Sequence, residues 1–198
     1  MRTDEADRGA MTNITRPGEG CGAGASGPVS SYPGSMATPD FILALREKIG
    51  NAPLWLSGVT AVVLREERVL LVKRADNGAW TSVTGIIDPG EQPADAAVRE
   101  VLEETGVAAD PERLVLVHVT GPVVYGNGDQ AQYLDLVFRF RWRSGDPYPA
   151  DGENTDARWF PLDGLPPMSD DMRARIAAAV AGEPAARYTV SLRPAVHP

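Results

Sequence analysis

The run "AQYLDLVFRFRWR", Ala131 to Arg143, constrains the fold more than any other part of this chain. Leu134, Leu136, Phe138, Phe140 and Trp142 alternate with Asp135, Arg139, Arg141 and Arg143. Successive side chains of a strand point to opposite faces, so one face of this strand is broad and apolar. Such a face needs neighbouring strands and a covering layer, because a lone ribbon cannot bury it. The opposite face, with its row of arginines, is expected to meet solvent, a dimer contact being the alternative.

The rest of the chain supplies the partners. "VTAVVLREERVLLVKR", residues 59–74, places two apolar runs either side of a charged turn, which is a hairpin pattern. Trp80 to Ile87 reads as further strand interrupted at Gly85, and "RLVLVHV" and "ARWFPL" read as two more strands. "PDFILALREKIG" predicts a short helix capped by Asp40, with Phe41 and Leu45 on one face and Gly50 ending it. Pro93 to Thr105 predicts a second helix, with proline in its first turn. Its Ala94, Ala97, Val98, Val101 and Thr105 recur at helical spacing and are expected to face the core. "MSDDMRARIAAAVAGE" predicts a closing helix ended by Gly182. Hairpins mixed with two or three helices indicate an α/β fold, a sheet with helices packed on its faces.

Composition sets the limits of that domain. Residues 1–38 hold only two branched aliphatic residues, Ile14 and Val29, too few to offset ordering entropy, so a flexible tail is expected. The domain is expected over 39–185, with a second tail over 186–198. Met36, just before the first structured segment, is an alternative start, which the intact mass of natively expressed protein would decide. The single cysteine, Cys21, excludes an intramolecular disulfide, and the two histidines, His118 and His197, are far apart, so zinc is not expected. A formal net charge of −8 argues against a nucleic-acid groove. It leaves room for a small anionic substrate if a cation or a few arginines offset the repulsion. No apolar run approaches the ~20 residues that span a bilayer, and the N-terminus lacks an apolar signal region, so no membrane partner and a cytoplasmic location are expected.

The second helix carries the chemistry. Glu100, Glu103 and Glu104 stand at i, i+3 and i+4, which is expected to put them on one face, opposite the Ala/Val stripe. Like charges at that spacing destabilise a bare helix, and they lie toward its C-terminus, where the macrodipole disfavours anions. Local rules are broken there, which marks a functional site. A hard divalent cation resolves the conflict, since Mg²⁺ takes carboxylate oxygens and completes its shell with water and substrate phosphate. Arg99 precedes Glu103 by four residues and can pair with it, while Gly85 and Gly90 let the preceding loop come close.

The full pattern is Gly85, five residues, Glu91, seven residues, then Arg99-Glu100-Val101-x-Glu103-Glu104-x-Gly106-Val107. It resembles the Nudix box at every defining position, and a chance match in a chain this long is on the order of 10⁻⁷. The resemblance to the Nudix hydrolase family runs from about Leu54 to Leu162. "VLLVKRADNGAW" before the box and "DARWFPL" after it look like the usual flanking strands. Thr84 departs from the pattern, where many members have a second glycine.

The resemblance implies a Nudix α/β/α sandwich, a mixed sheet flanked by helices. It implies a Mg²⁺-dependent pyrophosphohydrolase, with Mn²⁺ as the alternative cation, that cleaves a nucleoside diphosphate derivative, ADP-ribose-like or a nucleotide. Glu100, Glu103, Glu104 and the Gly85 carbonyl would hold the metal. Arg99 would orient a carboxylate, and Glu91 would brace the loop against the helix. Glu100 or Glu153 would be the general base. Arg74 or Lys73 would contact phosphate, and Trp80 is a candidate for stacking a nucleobase, against a core role. Pro122 and Tyr125 lie fifteen and eighteen residues past Val107, where some family members carry substrate-selective residues. Both are present, so neither selects ADP-ribose over dinucleoside polyphosphates. Many members are dimers, so a homodimer is the weaker expectation. The competing functions are a non-catalytic nucleotide-sensing module and an isomerase of isoprenoid diphosphates. The isomerase needs a cysteine that the tail's Cys21 cannot supply, and the intact box acids weigh against the sensor.

Overall fold

The computed structural model describes residues 38–190. The flexible-tail expectation for 1–37, with Cys21 and Met36, and His197 near the other end lie outside the described residues. The described residues form three helices and nine strands: α1 (Asp40–Ile49), β1 (Leu54–Arg65), β2 (Arg68–Arg74), β3 (Trp80–Thr81), β4 (Val83–Ile86), α2 (Pro93–Thr105), β5 (Ala108–Val119), β6 (Val123–Val124), β7 (Gln130–Ser144), β8 (Asn154–Pro161), α3 (Asp170–Val180) and β9 (Arg187–Tyr188).

The strands form one mixed sheet along the path β3-β2-β1-β7-β5-β9, with β4 paired to β1, β6 to β7 and β8 to β2. The alternating run is β7, at the centre, parallel to β1 over eleven residue pairs from Leu54↔Ala131 to Leu64↔Arg141 and antiparallel to β5. Both faces of the sheet are covered. Val59, Ala61, Val63, Leu70, Val72 and Phe140 pack against Ala96, Ala97 and Val101 of α2. On the other face Val62, Val69, Leu71, Val115 and Val137 pack against Met172, Ile176 and Ala179 of α3. The architecture is the expected helix–sheet–helix sandwich.

The β1–β2 hairpin is paired only beside its turn, Leu64↔Val69 and Arg65↔Arg68, where Glu66 takes a positive φ of 54°. Beyond those pairs the strands diverge. β4 pairs with β1 at residues 58–61, and β8 pairs with β2 along its length. The split leaves an opening in the sheet, and that opening positions the site.

Several expectations are corrected in detail. The charged face of β7 is not simply solvated. Asp135 is buried, receives hydrogen bonds from Thr60, pairs with Arg175 of α3 at 3.3 Å and meets His118 at 3.0 Å. Arg139 donates to the carbonyl of Ala179, which leaves Arg141 and Arg143 to reach water. A charge in that layer is tolerable because it is paired. α1 buries Ile42 rather than Phe41 or Leu45, and Pro39, not Asp40, stands at its cap. The break after Trp80 falls at Ser82, not Gly85, because β3 and β4 have different partners. α3 ends at Val180, and its Ser169 cap accepts from the Met172 amide. Arg187 and Tyr188, within the segment expected to be a tail, pair in parallel with Leu116 and Val117. Among the described residues no helix is long and apolar enough to cross a membrane.

Candidate active site

α2 begins after Gln92 with proline at its first positions and ends at Gly106, whose φ of 67° is the left-handed value that terminates helices. Its C-terminal carbonyls meet a crossing loop: the amide of Tyr148 donates to Thr105 and that of Ala150 to Glu104. Tyr148 lies so close over Gly106 that a Cβ there would come within 2.3 Å of its ring. The loop is thus tied to α2, and it carries Asp151 and Glu153 toward the box glutamates. The Ala75 amide donates to the Glu153 carbonyl and fastens the loop's other end to β2.

The three glutamates do not share one environment. Glu103 is more than half exposed. Glu104 turns inward beside Ala97 and Val101 and is only 4% exposed, where the sequence placed it opposite that stripe. The reason is angular: at 100° per residue a side chain seven positions after Ala97 falls almost in line with it. Asn154 of β8 donates to Glu104 Oε2 at 2.8 Å. Burial pushes the Glu104 carboxyl up to about 9 despite that hydrogen bond, and nearby Glu100 and Glu153 add to the rise. Burial likewise raises Glu100 to about 7, opposed by Arg99.

Arg99 organises the cluster. Its Nε and Nη2 form a fork on Glu91 at 3.0 Å each, its Nη1 donates to Glu100 at 2.9 Å and Glu103 at 3.1 Å, and Nη2 reaches the Ile86 carbonyl at 3.3 Å. Glu91 in turn accepts from the Asp88 amide, which ties the box loop to the helix. The guanidinium holds its proton more tightly than usual, chiefly through Glu91.

Gly85 is placed on β4 by its pairing with Val59. A Cβ there would lie 2.2 Å from the Glu100 carboxyl, so the carboxylate occupies the space that any other residue would fill. A buried and a half-buried carboxylate with raised proton affinity, the latter cradled on a glycine, are a donor set that suits a hard divalent cation. Among the described residues no three acidic, His or Cys side chains are already gathered around an ion-sized space, and Glu103 pairs with Arg99 from its exposed position.

Glu153 borders two cavities. One, in the split of the sheet, is lined by Arg74, Asp76, Thr81, Thr84, Glu104 and Asn154 besides Glu153. The other, an open cleft of about 400 Å³, is lined by Pro39, Asp88, Arg99, Glu100, Glu103 and Asp151 with it. Asp76 holds the Arg74 guanidinium by two bonds of 2.9 and 2.7 Å, so a cation stands among these carboxylates. The structure therefore brings together Gly85, Glu91, Arg99, Glu100, Glu104, Glu153 and Arg74. Trp80 is directed elsewhere: its ring meets Phe160 edge-on at 4.7 Å within the α3-side cluster, the core role rather than the stacking one. Tyr125 lies beside α1, its phenol 2.6 Å from that of Tyr133. Asn154 and Asp76 escaped the sequence reading; an asparagine beginning a strand and an aspartate in a turn are commonplace locally.

The family model for the NUDIX domain matches residues 55–180. The chain belongs to the Nudix family. A MutT-like protein of Streptomyces ambofaciens is 37% identical over 114 residues, 57% of this chain and 68% of that protein. The human protein named 8-oxo-dGDP phosphatase NUDT18 is 36% identical over 115 residues, 54% of this chain but only 33% of its own length. Among solved structures, an ADP-ribose pyrophosphatase from Streptococcus suis superposes with a TM-score of 0.54 over 68% of this Nudix chain and 98% of its own, at 22% identity, a likeness of fold alone.

Proposed function

We propose that this Nudix hydrolase is a pyrophosphohydrolase that uses a divalent cation, Mg²⁺ or Mn²⁺, to cleave the diphosphate linkage of a nucleoside diphosphate derivative. The observation that carries the proposal is the placement of two carboxylates: Glu100 lies half-buried against Gly85, Glu104 is buried beside Arg74 in the inner cavity, and Glu153 borders the cavities of both. Glu100, Glu104 and the Gly85 carbonyl would hold the cation, with Glu103 joining from its exposed position. Such an ion neutralises charge developing on phosphoryl oxygens and lowers the pKa of a bound water.

The chain's own residues do the rest. Arg99, anchored by its fork on Glu91, keeps the Glu100 carboxylate in one orientation and compensates its burial. Asn154 fixes the Glu104 carboxyl by donating to one oxygen. Arg74, pre-oriented by Asp76, binds a phosphate oxygen of the substrate. Glu153 lies within the field of both Glu100 and Glu104 and takes the proton from the attacking water through its carboxylate. The name of the human relative, an 8-oxo-dGDP phosphatase, supports a nucleotide derivative as substrate.

The test is a product assay by mass spectrometry with Mg²⁺ over ADP-ribose, a dinucleoside tetraphosphate, a reduced dinucleotide, a nucleotide sugar and an oxidised dGTP. Glu104→Gln runs beside the wild type. Turnover of one substrate that is lost in the variant is the expected result. No turnover of any of them by the wild type overturns the proposal.

A further inference from the structure

The segment between β7 and β8, residues 145–153, carries Asp151 and Glu153 to the cleft, and its sequence favours one shape. Tyr148 stands between Pro147 and Pro149. Each proline fixes its own φ, and Pro149 also biases Tyr148 toward extended backbone, so less entropy is lost when this stretch docks. Gly145, with a φ of 92°, makes an entering bend that other residues resist.

The docking surface is the C-terminal end of α2. A Cβ on Gly145 would come 2.9 Å from the Gly106 carbonyl oxygen, and the Trp142 indole donates to the Gly145 carbonyl at 2.9 Å. The Arg65 guanidinium, at the β1–β2 turn, stacks 4.1 Å from the centre of the Trp142 ring and backs that anchor. Further on, the Tyr148 amide donates to the Thr105 carbonyl at 3.1 Å and the Ala150 amide to that of Glu104 at 3.0 Å. These are carbonyls that a helix end leaves without partners of its own. The Tyr148 ring sits on Gly106 in the space that a side chain there would fill.

The end of the segment is thereby fixed. Only Asp151 and Gly152 separate Ala150, tied to Glu104, from Glu153, whose carbonyl accepts from the Ala75 amide at 2.9 Å. The Glu153 amide donates to Asp151 Oδ1 at 2.9 Å and closes the short span on itself. Glu104 is joined to the segment through its main chain, while its side chain lines the same inner cavity as Glu153. Tyr148 itself is 57% exposed, and its ring joins none of the apolar clusters of the described residues. So exposed a ring contributes little to stability, and its seat on Gly106 serves to place the segment.

We infer that Tyr148, seated on Gly106, is a positioning residue: it sets the register in which Glu153 meets the carboxylates of α2. The inference rests on the hydrolase reading for what Glu153 does there, but one of its readouts needs no turnover.

Tyr148→Ala, Tyr148→Phe, Glu153→Gln and the combination of Tyr148→Ala with Glu153→Gln are compared with wild type in the full-length protein. Amide hydrogen exchange by mass spectrometry follows residues 145–153, thermal melting follows the fold, and steady-state kinetics with Mg²⁺ follows the substrate that the wild type turns over. Tyr148→Ala is expected to melt within about 2 °C of wild type and to exchange at least about tenfold faster in 145–153. It should lose about tenfold or more in kcat, with KM within about twofold. Tyr148→Phe, which keeps the ring, should match wild type in all three. On top of Glu153→Gln, Tyr148→Ala should lower kcat by less than about twofold more, because the group it places is already gone. A ring with a merely structural role would add its full effect there. Unchanged exchange or unchanged kcat in Tyr148→Ala, or a full further loss in the double variant, overturns the inference. Faster exchange in Tyr148→Ala but not in Tyr148→Phe, in a protein whose wild type hydrolyses nothing, sustains it and sinks the hydrolase reading instead.

Discussion

Replacing Glu104 with glutamine is expected to stabilise the metal-free protein while ending its activity. The folded carboxyl, raised by burial to about 9, keeps its proton over a range in which the unfolded chain, with an ordinary value near 4.5, has lost it. The native state therefore binds the extra proton, and stability falls as pH rises between those values, by about 1.4 kcal/mol per pH unit. From pH 5 to pH 8 the loss is about 4 kcal/mol, or roughly 8–16 °C in melting temperature for a domain of this size. The glutamine amide of Glu104→Gln cannot ionise, yet it still offers Asn154 an acceptor oxygen in place of the bond seen at 2.8 Å. Glu100, raised to about 7, adds a pH dependence common to both proteins, so the difference between them isolates Glu104. The assay is thermal unfolding in chelator at pH 5, 6, 7 and 8. The two proteins should melt together at pH 5, and the variant should melt higher at pH 8. Mg²⁺ should restore the wild type at pH 8, because a cation that displaces the proton binds only the folded state. Parallel curves at all four pH values would refute the burial argument.

Gly85→Ala puts a methyl group 2.2 Å from the Glu100 carboxyl, so the carboxylate must leave its cradle. Activity should fall by about 100-fold or more in steady-state assays while far-ultraviolet circular dichroism stays native. Glu153→Gln should lower kcat by about 100-fold with KM nearly unchanged, and a near-wild-type rate would remove it from the proton transfer. Arg99→Lys keeps the charge but loses the fork on Glu91, so kcat should drop at least about tenfold although the ion pair can re-form. Asp135→Ala leaves Arg175 buried without that partner and should cost about 3 kcal/mol in urea unfolding, with little direct effect on chemistry.

Periodicity and motif spacing made most of the architecture and the box legible before any coordinates. Alternation in β7, the charged turn between β1 and β2, and the helical recurrence of Ala97, Val101 and Thr105 are local properties, and local rules read them. The motif singled out Glu91, Arg99 and Glu100, and the structure gathers them because each contact spans only the loop and helix that carry it. Trp80, by contrast, gives no hint in its neighbours that Phe160, far along the chain, will take its ring.

Local sequence thus settles which segments are strand and helix, and which carboxylates stand close enough to act together. How those carboxylates differ comes from the folding of distant segments onto one another. Helical spacing turns Glu104 toward the side of Ala97, but its surroundings there come from β8, which brings Asn154 onto it, whereas Glu103 remains more than half exposed beside Arg99. The sheet splits where β4 and β8 part the β1–β2 hairpin, and only there do Arg74 and Glu153 meet the box. Proton affinity follows burial, and burial depends on residues far apart in the chain, which spacing along it cannot express.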